Sequence, residues 1–240
     1  MEQIFVDRLL EELRRELRRH ANKEHAAVAQ RFFKTGAGEY GEGDLFLGVR
    51  VPAIRRLVKT CPETQASDLK PLLQSPFHEE RMLALLILVR NYAEGDGRAK
   101  REIFDIYWKN RKFINNWDLV DASAEHVVGA FLEKKSKKPL YQLAKSKVLW
   151  DRRIAILATF RYIKKYSLLE TLKIAEMLIH DHEDLIHKAV GWMLRELGKR
   201  DLAEEEVFLK SRYKTMPRTM LRYAIEAFPE SKRQAYLKEI

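Results

Sequence analysis

Apolar residues recur three and four positions apart along most of this chain, which is the spacing of a helix with one buried face. Over residues 3–21, Phe5, Leu9, Leu10, Leu13 and Leu17 share a face, with Glu11 and Arg15, and Glu16 and Arg19, placed to pair on the other. The basic run R14-R-E-L-R-R19 reads as a solvated helix face. Similar patterns predict helices over 24–34, from Pro52 onward, and over 67–74, 77–93, 98–110, 116–132, 138–146, 150–166, 168–179, 184–198, 202–214, 217–228 and 230–239. Pro52 is a good first-turn residue, and Ser75-Pro76 and Met216-Pro217 mark helix starts. No stretch alternates with the period of two that a half-buried strand requires, so the fold class is all-α.

The helices keep a common register. Met82, Trp117, Arg152, His187 and Arg222 follow one another at intervals of 35 residues. Two positions on lie Ala84, Leu119, Ile154, Ala189 and Ala224, and three on lie Leu85, Val120, Ala155, Val190 and Ile225. Six on lie Leu88, Ser123, Ala158, Met193 and Phe228. These small or apolar positions share one side of a helix, so repeated helix pairs are expected, forming an α-solenoid of degenerate HEAT-like repeats, right-handed, with a concave binding surface. The W-x₂-L-G-x₂-Y pattern of tetratricopeptide repeats is missing. One domain over 1–240 is expected. Positions zero, one, four and five lie on the opposite side, and hold Trp117 and Asp121, then Arg152 and Arg153, then His187, Lys188 and Trp192. The expectation is that these side chains face outward, with Asp121 as the acid among them.

Composition supports this picture and adds a partner. With 46% hydrophobic and 33% charged residues the chain is of the globular class, and 10 Gly and 7 Pro leave helices largely uninterrupted. A net charge of +10 points to a polyanion, nucleic acid before a membrane surface. A single cysteine, Cys61, excludes an internal disulfide or a cysteine-rich zinc site and fits a reducing cytoplasm. The first residues, M1-E-Q-I-F-V-D-R8, lack a signal-peptide pattern, and the apolar run Met82–Val89 is far short of the roughly 20 residues that cross a bilayer. A cytoplasmic protein is expected.

Several motifs carry less than they first offer. G36-x-G38-x-x-G41 matches the dinucleotide fingerprint as a string, yet helical sequence precedes it and E42-G-D follows it, so it reads as a flexible loop. His180-Asp-His182 is poorly spaced for a metal on a helix, and no metal is expected there. Cys61 reads as a minor core residue, and Lys134–Lys138 as a solvated loop. The stretch I114-N-N-W-D-L-V-D-A-S-A-E-H126 is more informative. It sets Trp117 one helical turn before Asp121, an aromatic ring beside an acid on one face. Asp is a weak mid-helix residue, so a specific use is expected of it; Asp118, pointing elsewhere, is expected to make a salt bridge or local hydrogen bonds. Trp117 and Trp192 share the polar side of the register, where a flat ring can pack on a sugar or base and support a cation. Arg153 has the position of a phosphate ligand.

Taken together, N116-W-D-L-V-D121, L149-W-D-R-R-I-A-I-L157, H187-K-A-V-G-W-M-L-R-E196 and F46-L-G-V-R-V-P52 resemble the signature segments of the AlkD-like DNA alkylation repair glycosylases, from about residue 25 to the end of the chain. The resemblance implies a HEAT-like solenoid with duplex DNA in its concave groove. It implies a monofunctional glycosylase that excises cationic N3- and N7-alkylpurines and acts on the sugar without enclosing the base. By position it implies catalytic roles for Trp117, Asp121 and Trp192 and a backbone contact for Arg153; Arg152 and Lys188, which share the polar side of the register, are expected as neighbouring DNA-binding cations. Phe32 and Arg50 fall where the family places further DNA contacts, although members commonly carry Tyr and Gln there. Neither a metal nor a cofactor is expected, and a monomer is. The alternatives are a DNA-binding repeat protein without catalysis and a protein-interaction scaffold.

Overall fold

The computed structural model describes residues 2–238, so the final residues of the helix expected at 230–239 lie partly outside it. Helices fall where the apolar patterns predict them, although those expected over 116–132 and 150–166 are interrupted. The elements are α1 (Glu2–Arg19), α2 (Lys23–Phe32), α3 (Val51–Thr60), α4 (Lys70–Leu73), α5 (His78–Glu94), α6 (Gly97–Asn110), α7 (Trp117–Asp121), α8 (Ala130–Leu132), α9 (Lys138–Ala144), α10 (Leu149–Ala158), α11 (Phe160–Ile163), α12 (Leu169–Leu178), α13 (Asp184–Gly198), α14 (Leu202–Lys210), α15 (Arg218–Ala224) and α16 (Glu230–Lys238). Extended pairing among the described residues is limited to an isolated parallel bridge between Leu45 and Phe77. No described helix is long and apolar enough to cross a membrane.

Local chemistry sets the starts. The side chains of Asn22, Asp96 and Asp201 each accept the backbone N–H three residues on, capping α2, α6 and α14. Pro52, Pro71 and Pro139 occupy first-turn positions where a missing N–H costs nothing. The long helix expected over 116–132 is broken. After α7 the Ser123 hydroxyl donates back to the Leu119 carbonyl at 2.6 Å and lies 3.1 Å from the Tyr107 hydroxyl, and the chain then passes through a π-helical turn, Glu125–Gly129. A serine that bonds the preceding turn competes with the regular ladder, and the wider turn follows.

The chain divides into two compact units, Met1–Ser123 and Ala124–Ile240. In the first, α5 is the central element, packed by α1, α3, α4, α6 and α7 and buried continuously from His78 to Leu88. Each fully buried Leu or Ile there contributes roughly 1.5–3 kcal/mol. The face α1 turns inward is Val6, Leu9, Leu10, Leu13 and Leu17, whereas Phe5 is 63% exposed, contrary to the sequence expectation. Arg14 and Arg18 both reach the buried Glu80 carboxylate of α5, at 3.0 and 3.3 Å, so part of the basic run is a structural tether. In the second unit α10 takes the central place, contacted by α9, α11, α12, α13 and the π turn, and α13 packs most extensively on α15.

The repeat register predicts burial well on one side only. All fifteen residues at its second, third and sixth positions are buried, from Ala84 to Phe228. The opposite side is not uniformly outward. In α5 and α10 it is buried as well, because each of these helices is enclosed by neighbours all round.

Candidate functional site

The candidate residues fall in both units and are described unit by unit. In the first, Asn116 caps α7 by accepting the Trp117 N–H at 2.9 Å, so the helix begins on Trp117 and ends on Asp121. Both side chains are half-buried, and their four-residue spacing puts them on one face. Trp117 is held by a cluster of rings. It stacks on Phe33 at 5.4 Å and meets Phe32 edge-on at 5.9 Å. Phe33 in turn stacks on Phe46 at 5.2 Å, and Phe46 on the His78 imidazole at 4.6 Å. Phe32 stands 62% exposed at the edge of this cluster. It lines a cavity of about 320 Å³ together with Val28, Phe46, Arg50, Val51 and His78.

The segment that carries Arg50 is fixed by a buried carboxylate. Glu79, at the start of α5, accepts the backbone N–H groups of Leu47, Gly48 and Val49 at 2.9, 2.8 and 3.1 Å. Gly48 sits at φ +78°, and a side chain there would collide with the Asn22 carbonyl, so glycine is required on both counts. Arg50 emerges exposed, its guanidinium 2.9 Å from the His25 ring.

Beneath the rings lies a buried polar cluster. His78 bridges two carboxylates, with Nδ1 3.2 Å from Asp44 and Nε2 2.8 Å from Asp118. Arg81 approaches Asp44 at 2.7 Å and Asn115 donates to it at 3.1 Å. Burial alone pushes the Asp44 carboxyl up, but the hydrogen bonds from His78 and Asn115 and the charge of Arg81 outweigh it and hold the group below its ordinary range. For His78, burial pulls downward, and the bonds to Asp118 and Asp44 overcome it, so the imidazole titrates above its ordinary value. Asp118 thus makes the salt bridge expected of it, with His78, and also accepts its own helix's Leu119 N–H at 2.8 Å.

In the second unit two expectations of exposure are corrected. Arg152 is 6% exposed and its guanidinium forks onto Asp181, with Nε–O 2.6 Å and Nη2–O 3.2 Å. Arg153 is 5% exposed and donates to the Leu185 carbonyl at the start of α13. The cause is the enclosure of α10: with neighbours on every side, its polar residues must find partners inside. Asp181, between His180 and His182, is therefore committed to Arg152. Lys188 pairs with Asp184 one turn earlier on α13, at 2.7 Å. Trp192 is half-buried against Phe160, ring centroids 5.8 Å apart. Gly191, beside it, lies so close to α15 that a side chain would strike the Met220 carbonyl and Tyr223.

The glycine loop carries carboxylate partners of its own. A helix, α2, precedes it, and two of the N–H groups a phosphate would need, Gly36 and Gly38, are taken by Glu39 and Glu42 at 2.8 and 2.9 Å. Cys61 is a buried core residue whose thiol lies 3.8 Å from the Thr64 hydroxyl.

The residues missed from sequence are Phe33, Phe46, Asp44, Glu79 and His78. One signal was available: H78-E-E-R81 places four polar residues directly before the longest apolar run, where they had to be buried and paired.

Compared with known proteins, the chain matches the model of a family of DNA alkylation repair enzymes over residues 13–228. Among solved structures it is similar to a protein described as a predicted DNA alkylation repair enzyme from Enterococcus faecalis. The two share 18% identity and a TM-score of 0.67, with 88% of this chain and 98% of that one covered. At that identity the likeness speaks for the all-helical fold. No curated protein matches the chain.

Proposed function

We propose, from the premise that this chain belongs to the family of DNA alkylation repair enzymes, that it is a monofunctional DNA glycosylase. Its substrates are N3- and N7-alkylpurines in duplex DNA, and the site of action is the cytoplasmic genome. The observation that carries the reading is the family match together with Trp117 and Asp121, half-buried on one face of α7 beside a supporting ring cluster.

The chemistry needs little more. An N3- or N7-alkylated purine is already cationic. As the bond from C1′ to the base nitrogen breaks, its electron pair passes to the base and neutralises it, and positive charge grows on the deoxyribose. A carboxylate at Asp121 stabilises that charge and orients a water for attack on C1′, accepting the proton that the water loses. The electron-rich faces of Trp117 and Trp192 favour the same cationic sugar. Phe32 and Arg50, exposed in the first unit, serve as DNA contacts, and Lys188 adds charge in the second. The burial of Arg152 and Arg153 bears on their share. Arg152, forked onto Asp181, is assigned to holding the fold, and Arg153 keeps a backbone-contacting role only with whatever part of its guanidinium reaches the surface. The same proposal takes the helices as one domain, a monomeric right-handed HEAT-like solenoid with the DNA in its concave groove.

The test is base release from methylated duplex DNA under single-turnover conditions. Asp121→Asn should lose on the order of 10²-fold or more in rate. Equal rates in the variant and wild type would remove Asp121 from the mechanism. Tight, salt-dependent duplex binding without any release would return a DNA-binding protein that does not catalyse, and indifference to DNA a protein-interaction scaffold.

A further inference from the structure

We infer that His78 is a positioning residue for Trp117, holding the indole's orientation at the start of α7 from two sides, and this rests on the glycosylase reading for its consequence in catalysis.

The first side is the backbone. His78 Nε2 lies 2.8 Å from the Asp118 carboxylate, and Asp118 follows Trp117 directly in α7. The other Asp118 oxygen caps the Leu119 N–H at 2.8 Å, so one carboxylate ties the first turn of a five-residue helix to the long, enclosed α5. So short a helix has almost no stability of its own, and an external tether decides its placement. The second side is the ring stack. His78 lies against Phe33 at 5.0 Å and Phe46 at 4.6 Å, and Phe33 carries Trp117 at 5.4 Å. His78 therefore fixes both the helix that bears the indole and the ring it rests on.

The bridging geometry calls for an imidazolium. Only the charged ring has an N–H on both nitrogens, and here both nitrogens face carboxylates. With Asp44, Asp118 and Arg81 as the charged groups packed against it, the protonated cluster is balanced, two negative and two positive. His25, Arg50 and Glu79 line the same cavity, Glu79 buried and bonded to the backbone N–H groups of Leu47, Gly48 and Val49, and Arg50 beside the His25 ring. Loss of the proton leaves one carboxylate without its N–H and a net negative charge in a buried place, which loosens the tether. The upward shift of the His78 titration agrees with this, since the two carboxylates favour the charged ring. The hold on Trp117 therefore needs the protonated ring, and it is lost as pH rises through the folded-state titration of His78.

The experiment is an NMR titration of the free protein between pH 5 and 9, following the His78 ring and the Trp117 indole N–H, the latter identified by its loss in Trp117→Phe. The expected result is a Trp117 resonance that shifts with the same midpoint as His78, above the ordinary 6.5. In Asp118→Asn both midpoints should move down together, because the ring loses its stronger carboxylate. An indole that stays still through the His78 titration, or keeps its wild-type midpoint in Asp118→Asn, overturns the inference. In the reaction, His78→Gln should slow single-turnover base release on the order of tenfold to a hundredfold while DNA affinity is retained, as expected for a misplaced indole. A loss confined to affinity would also overturn it. The titration needs no substrate, so wild type that releases no base sinks the glycosylase reading, while the positioning role is still decided by the indole.

Discussion

Glu205 in α14 is 1% exposed, and its Oε1 has no hydrogen-bond partner. Burial, reinforced by Glu206, pushes its carboxyl up to about 9 from an ordinary 4.5. The folded protein thus holds a neutral acid where the unfolded chain holds a charged one. The contribution of this group to stability is fully present below pH 4.5 and declines as pH rises towards 9. Glu205→Gln removes the dependence while keeping the shape. It should stabilise the protein by about 1–3 kcal/mol at pH 7, with a smaller gain at pH 5 and a larger one at pH 8.5. Urea denaturation at the three pH values checks this, and a gain that does not change with pH would contradict it. Glu205 does not stand out in the sequence, and His78 is marked only by the polar run before the long apolar one, because the partners of a buried polar side chain depend on what other helices bring to it. Trp117 and Asp121 do stand out, because their relation is set by four residues of local helix.

At the scale of elements, the helix patterns were legible and their interruptions were not. The run 116–132 has helical periodicity throughout, yet breaks at Ser123, where a hydroxyl bonded to the previous turn and to Tyr107 diverts the chain into a π turn. The inward side of the 35-residue register was right at every position, while its outward side failed at Arg152 and Arg153. Periodicity reports one buried face; it does not report a helix enclosed on all sides. Helix contact also sets residue choice at Gly191, where α13 meets α15 through backbone and Tyr223. Gly191→Ala should separate the two helices and cost roughly 1–3 kcal/mol, read as a lower urea midpoint. An unchanged midpoint would show that the contact yields easily. Since Trp192 is the next residue, base release should fall in the same variant.

For the whole molecule, the net charge of +10 sets the strength of interaction with a polyanion. Some cations are held inside the protein by acids, Arg14 and Arg18 by Glu80 and Arg152 by Asp181 among them, so not every arginine and lysine is open to DNA. The logarithm of duplex affinity should fall linearly with the logarithm of salt concentration. Arg50→Ala should lower the magnitude of that slope by about one, with little change in the rate of base release once DNA is bound. A slope unaltered by the substitution would remove Arg50 from the DNA interface.

By itself the sequence determined the all-helical class, the positions of the main helices, the inward register and the family, because each rests on local periodicity or on motifs contiguous in the chain. Tertiary structure alone decided that Arg152 and Arg153 turn inward, that Glu79 pins the Gly48 loop, and that His78 joins Asp44 and Asp118 beneath the Trp117 rings. Those outcomes depend on which distant segments exclude water from a polar group and which supply its partners, and neither is encoded within a few residues of the group itself.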